Sequence, residues 1–183
     1  LRSAEVFHMM QNAKDYGLSA QNVAFDPKAV VERSRKVSKR LNDGVGYLMK
    51  KHKIDVVDGT ARLTGKGVLG VKGKDGAALP DISAKHIIVA TGARARALPG
   101  LEPDGRLVWT YKEAMIPDRM PNSVLVVGSG AIGIEFASFY RTLGAEVTVV
   151  EIMDRILPVE DEEISALAHK AFEKQGMKIR TGT

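Results

Sequence analysis

The segment from Ser123 to Glu151 constrains the fold more than any other part of the chain. Val124, Leu125, Val126 and Val127 are a run of four apolar residues, three of them β-branched, as a strand buried on both faces of a parallel sheet requires. Gly128, Ser129, Gly130, Ala131, Ile132 and Gly133 follow without a break, and Ile134 to Leu143 then reads as a helix closed by Gly144. A second apolar run, Val147 to Val150, ends in Glu151, eighteen positions past Gly133. Two parallel strands can only be joined by a crossover, and a helix of this length is the usual one.

Each residue type in that segment has a physical task. Gly128 permits the tight turn out of the strand, Gly130 lets the backbone approach a pyrophosphate, and Gly133 lets the helix pack close to the strand. Exposed amides at the helix N-terminus, with their share of the helix dipole, attract phosphate charge. Glu151 can accept both hydroxyls of an adenosine ribose, whereas a 2′-phosphate would face its carboxylate, so NAD is expected rather than NADP.

Other elements follow from periodicity and punctuation. Val6, Met9, Met10 and Ala13 recur at helical spacing, so a helix is expected from about Ser3 to Lys14, ending near Gly17. Asp26 and Pro27 start a second helix, whose apolar face is Val30, Val37, Leu41, Val45 and Leu48. Met9, Met10 and Met49 on such faces read as core packing. Short β-rich runs at Ile54 to Val57, Ala61 to Thr64 and Gly67 to Val71, with a turn at Lys74, Asp75 and Gly76, predict an antiparallel meander feeding an apolar strand at Ile87 to Thr91. Thr110 and Glu113 fit a capping box opening a short helix. A helix from about Glu160 to Gln175 should bury Ile164, Leu167, Ala168, Ala171 and Phe172 and carry its acids against the dipole rather than around a metal. A third strand starts at Met177.

Composition narrows the function classes. The chain has 183 residues, 44% of them hydrophobic, and no run approaches the roughly 20 apolar residues of a membrane span. There is no basic-then-apolar leader, so a cytoplasmic location without membrane partners is the default expectation. Zero cysteines exclude disulfides, Cys-ligated metals and thiol chemistry carried by these residues. The net charge of +5 is local, because residues 28–53 hold nine Lys/Arg against Glu32 and Asp43, a balance of +7. A nucleic-acid-binding helix is the alternative that this stripe raises. Tyr47 is its only aromatic, so a solvated helix face is the reading and no nucleic-acid partner is expected.

Three features together resemble the pyridine nucleotide–disulfide oxidoreductases: His86 to Ala93 with Leu98, Pro99 and Gly100 behind it; Gly128 to Glu135; and Val149 to Glu151. The resemblance runs over essentially the whole chain. It implies an α/β fold in which a partial FAD-binding domain of helices and a β-meander (residues 1–98) precedes a partial Rossmann-type NAD-binding domain with parallel strands (99–183), divided near Leu98 to Gly105. It implies FAD contacts at Ala90, Thr91, Gly92 and Ala93, and at Gly59, Thr60 and Ala61. Ala61 stands where the family commonly has glycine, and Gly59 alone also reads as a plain β-turn. NAD would be held by Gly128, Ser129, Gly130, Ala131, Ile132, Gly133, Ile134, Glu135 and Glu151, with Glu135 near the nicotinamide and flavin. The small Ala131, where NADPH-using relatives are bulkier, agrees with NAD.

The resemblance also implies that the redox-active cysteine pair, the FAD pyrophosphate loop and a catalytic His–Glu pair lie outside these 183 residues. His8, His52, His86 and His169 match no catalytic motif. The chain is thus expected to be an inactive internal portion of a homodimeric enzyme. That enzyme would reoxidise dihydrolipoyl groups carried by the lipoyl domains of 2-oxo-acid dehydrogenase complexes, passing electrons through a disulfide and FAD to NAD. Another NAD(P)-linked flavoprotein disulfide reductase or a transhydrogenase is the alternative within the family.

Overall fold

The computed structural model describes all of residues 1–183. Along the chain come α1 (Arg2–Gln11), a 3₁₀ turn (Ala13–Tyr16), α2 (Pro27–Lys51), β1 (Thr60–Gly65), β2 (Val68–Lys72), β3 (Ala78–Ser83), α3 (Tyr111–Met115), β4 (Ser123–Val127), α4 (Ala131–Thr142), β5 (Glu146–Val150), α5 (Glu162–Lys174) and β6 (Lys178–Arg180). They form two units, one of residues 1–35 with 97–183 and one of residues 36–96.

The first unit is built on a parallel sheet of order β4-β5-β6. Val124 pairs with Val147 and Val126 with Val149, so one face of the sheet carries Val124, Val126, Val147 and Val149 together. That face packs on α4, and Ile134, Ala137, Tyr140, Ala145, Val147, Val149, Ile156 and Met177 form one buried cluster. Tyr140 is fully buried among Trp109, Phe136 and Phe139, with Phe139 edge-on at 5.1 Å, and its hydroxyl donates to the carbonyl of Ala114 at 2.7 Å. This bond ties α4 to α3, whose start has the expected capping box: the amide of Thr110 donates to Glu113 at 2.8 Å and the amide of Lys112 to the Thr110 hydroxyl.

Several elements differ from expectation. β4 is not buried on both faces: Leu125 and Val127 point away from α4 and are exposed, because no other element of this unit packs on that side. α1 turns Ala4 inward rather than Val6 and Met10, which are exposed, while Met9 is half-buried. α5 buries Ser165 and half-buries Ala168 and Phe172, yet leaves Ile164, Leu167 and Ala171 open. Its apolar stripe is wider than the surface it packs against.

The second unit holds an antiparallel meander, β1-β2-β3, in which Ala61 faces Val71 and Val71 faces Leu79. Val71 is its one buried hydrophobic residue. Ile54 to Val57 is not a strand, and the third strand is Ala78–Ser83, after the turn at Gly76 (φ +83°). Ile87 to Thr91 has strand composition but is coil, with Ile88 90% exposed. A strand exists through its ladder, and no segment of this chain pairs with that one. α2 begins as expected, with the amide of Lys28 donating to Asp26 at 2.9 Å, but Leu41, Val45 and Leu48 are exposed and the helix buries no residue.

Candidate functional site

The glycine loop between β4 and α4 is assembled by backbone geometry first. Gly128 lies at φ +96°, a conformation open to glycine and costly for other residues, and its amide donates to the Val150 carbonyl at 2.9 Å. A β-carbon on Gly133 would collide with the Gly128 carbonyl oxygen. Gly133 therefore sets how closely α4 approaches the end of β4. Gly130 is the N-cap residue and provides no side-chain cap. The amides of Ala131, Ile132 and Gly133 have no helical partner, as at any helix start, and an uncapped start of this kind can hold an anion. Gly130, Ala131 and Ile132 are exposed at this end, while Ile134 is anchored in the core.

Glu151 reaches this loop from the end of β5. Its Oε2 accepts two donors of Ser129, the amide at 2.8 Å and the hydroxyl at 2.6 Å, and its Oε1 accepts the Met153 amide at 3.0 Å. Both residues are buried. Burial alone would raise the carboxyl pKa, but the Met153 amide, the Ser129 hydroxyl and the Ser129 amide together hold it below the ordinary glutamate value. A carboxylate has about four acceptor directions. Three are taken by protein donors and the Ile152 amide also acts on the carboxylate, so most of its acceptor capacity is already used.

Behind Ser129 the loop after β5 closes. The Leu157 amide donates to the Ser129 carbonyl at 3.2 Å, and Ser165 donates its hydroxyl to the Leu157 carbonyl at 3.1 Å. Leu157 sits at φ +48°, a left-handed conformation that costs a leucine about 1–2 kcal/mol, and the Ile156 beside it is fully buried. No sequence signal pointed to these contacts, since Ser129 and Glu151 are 22 positions apart and any residue satisfies the second position of the glycine pattern.

Glu135 on α4 helps line a groove of about 270 Å³ with Val30, Ser34, Met115, Phe136 and Phe139. Ala90, Thr91, Gly92 and Ala93 lie in exposed coil, with Gly92 at φ +81°. Gly59 precedes β1, and Thr60 and Ala61 pair with Lys72 and Val71. A β-carbon on Gly59 would strike the Lys72 carbonyl oxygen, so packing against β2 alone demands glycine there. No hydrogen bond links Gly59–Ala61 to Ala90–Ala93. His169 contacts Glu173 of its own helix at 3.5 Å, and Asp161 caps α5 through the amides of Glu163 and Ile164. In the basic helix, Lys39 pairs with Asp43 one turn on. No helix is long and apolar enough to cross a membrane.

A glycine loop on a strand end, an uncapped helix start and a buried acid at the next strand end are the arrangement of a Rossmann-type α/β fold. The chain belongs to the pyridine nucleotide-disulphide oxidoreductase family, whose pattern it matches over residues 4–183. Among curated proteins it is similar to the dihydrolipoyl dehydrogenases of Rhizobium etli (56% identical, 99% of this chain), Zymomonas mobilis (51%, 99% of this chain) and Chlorobaculum tepidum (46%, all of this chain). It spans 40%, 39% and 39% of their respective lengths. The crystal structure of LpdA from Mycobacterium tuberculosis superimposes with a TM-score of 0.88 over 99% of this chain and 40% of that one, at 24% identity, which establishes the shared fold.

Proposed function

We propose that the protein carrying this chain is a flavoprotein dihydrolipoyl dehydrogenase that oxidises dihydrolipoyl groups and reduces NAD. The observation that carries this is the 56% identity, over nearly the whole chain, to a protein of that name. In this reading residues 1–98 belong to the FAD-binding domain and 99–183 to the NAD-binding domain. The dithiol chemistry belongs to a part of the protein beyond these cysteine-free residues. The lipoyl domains of 2-oxo-acid dehydrogenase complexes are the partners, the working form is a homodimer, and the location is cytoplasmic.

The residues fit NAD. The first-turn amides of α4, cleared by Gly128, Gly130 and Gly133, would hold the pyrophosphate, and Ser129, Ala131, Ile132 and Ile134 shape and anchor that turn. Glu151 would accept from the adenosine ribose, and its carboxylate disfavours a 2′-phosphate. Glu135, one turn into α4, would approach the nicotinamide, the group that supplies hydride transfer when bound. For FAD, Ala90–Ala93 and Gly59–Ala61 offer accessible backbone but no enclosed cradle in this chain, so no step is derived through the flavin.

The test is turnover of dihydrolipoamide by the intact protein, with NAD⁺ and NADP⁺ as acceptors. NADH formation with little NADPH is the expected result. Turnover of some other disulfide or dithiol in place of dihydrolipoamide would reassign the enzyme within its family, and a preference for NADP⁺ would remove Glu151 as the ribose ligand.

A further inference from the structure

Ser129 uses every polar atom it has. Its amide and hydroxyl both donate to Glu151 Oε2, its carbonyl accepts from Leu157, and it is completely buried. A buried serine so placed is not a ligand-facing group, because nothing on it remains to contact a nucleotide. Its contacts bear instead on how the neighbouring carboxylate is presented. With Oε2 accepting both Ser129 donors and Oε1 accepting only the Met153 amide at hydrogen-bonding distance, the side chain of Glu151 is held at both oxygens and Oε1 is the less occupied of the two.

We propose that Ser129 is a positioning residue for dinucleotide selection: its hydroxyl fixes Glu151 so that Oε1 is the atom presented to a ribose hydroxyl. The proposal rests on the reading of Glu151 as the ribose ligand. Two consequences follow. Without the hydroxyl, Oε2 keeps only one protein donor and the carboxylate can turn, so less of the protein is competent to bind at any moment. The hydroxyl also favours the charged form of Glu151, the form that accepts from ribose and disfavours a 2′-phosphate. The ionisable side chains on the elements around Glu151, Asp154 and Arg155 on the next loop and Arg180 on β6, make no ion pair with it. Its protonation is therefore governed by the neutral donors, Ser129 foremost among the side chains.

The experiment is a calorimetric titration of the intact protein with NAD⁺, and separately NADP⁺, from pH 7 down to pH 4, the range in which a glutamate near or below its ordinary value takes up its proton. Ser129→Ala should bind NAD⁺ about fivefold more weakly at neutral pH, as when the carboxylate is in its competent orientation for only about a fifth of the time. Its affinity should also start to fall, on acidification, at a higher pH than that of the unaltered protein. Ser129→Gly keeps the same backbone donor and decides the matter if the alanine variant does not fold. Unchanged affinity, or a weaker affinity with an unshifted pH profile, would overturn the positioning role and leave Ser129 a packing residue. Glu151→Gln separates the two levels of the argument. If it leaves NAD⁺ affinity intact, the ribose reading itself fails; if it weakens binding while Ser129→Ala does not, only the present inference fails.

Discussion

Two stretches of this chain have nearly the same sequence character and opposite fates. Val124 to Val127 and Ile87 to Ala90 are both short apolar runs feeding a glycine-containing turn. The first is a strand in a parallel sheet, registered against Val147 to Val150 and packed on α4. The second is unpaired coil, with Ile88 90% and Val89 72% exposed. What separates them is the neighbour. The loop after β4 meets, inside the same 30 residues, the strand, helix and acid that complete it, while the loop after Ala90 finds no ladder in this chain.

The widest test of that contrast is Gly133→Val. Its branched side chain must displace the Gly128 carbonyl or push α4 away from β4, in a unit whose core runs through that helix. The expected loss is about 4 kcal/mol or more, with thermal unfolding of the 183-residue chain as the measurement. A mild effect would mean that the helix-to-strand distance is not what fixes the loop.

Next in size is Glu151→Arg. The guanidinium cannot accept from Ser129, whose amide and hydroxyl would be left buried without a partner, and the ribose would lose its acceptor. NAD⁺ affinity should fall roughly 10- to 100-fold, the equivalent of about 1.4–2.7 kcal/mol, while NADP⁺ binding falls less or improves. Unchanged selectivity in a calorimetric comparison would sink the assignment.

A paired substitution addresses the contrast directly. Val149→Ala removes a fully buried side chain and should cost about 2 kcal/mol in the chain, whereas Ile88→Ala should stay within about 0.5 kcal/mol. Equal losses at the two positions would show that the coil around Ile88 is packed in solution.

The same contrast explains what could be read from the residues. Elements whose partners lie close in sequence were legible: β4, α4 and β5 follow from hydrophobic period and the glycine pattern, α3 from Thr110 and Glu113, and the start of α2 from Asp26 and Pro27. Periodicity reports which residues could be buried, not whether anything buries them, so Leu41, Val45, Ile164 and Leu167 were expected in a core and stand in solvent. In the site, the roles of the glycines are written in their spacing. The bonds from Ser129 to Glu151 and from Leu157 to Ser129 are not, because they depend on a loop bent through a left-handed leucine that no local residue pattern announces.

A smaller loss than at Val149 is expected from Tyr140, where the well-packed unit can be probed without touching the site. Its hydroxyl is paired with the Ala114 carbonyl, and burial pushes its pKa up from 10.0 to about 12. A phenol whose folded pKa exceeds its unfolded one contributes stability that is fully present below pH 10 and is lost as pH rises through the folded value, because the unfolded chain releases the proton first. The unaltered chain should therefore lose stability between about pH 10 and pH 12. Tyr140→Phe cannot titrate there, and its own decline should be shallower by the share that Tyr140 contributes. At neutral pH the variant should lose about 1 kcal/mol for the missing hydrogen bond, with a fall in Tm of about 2–4 °C. Parallel alkaline declines in the two proteins would show that Tyr140 is reached by water in solution, and the contrast between a closed unit and an open one would then be weaker than the burial of α4 implies.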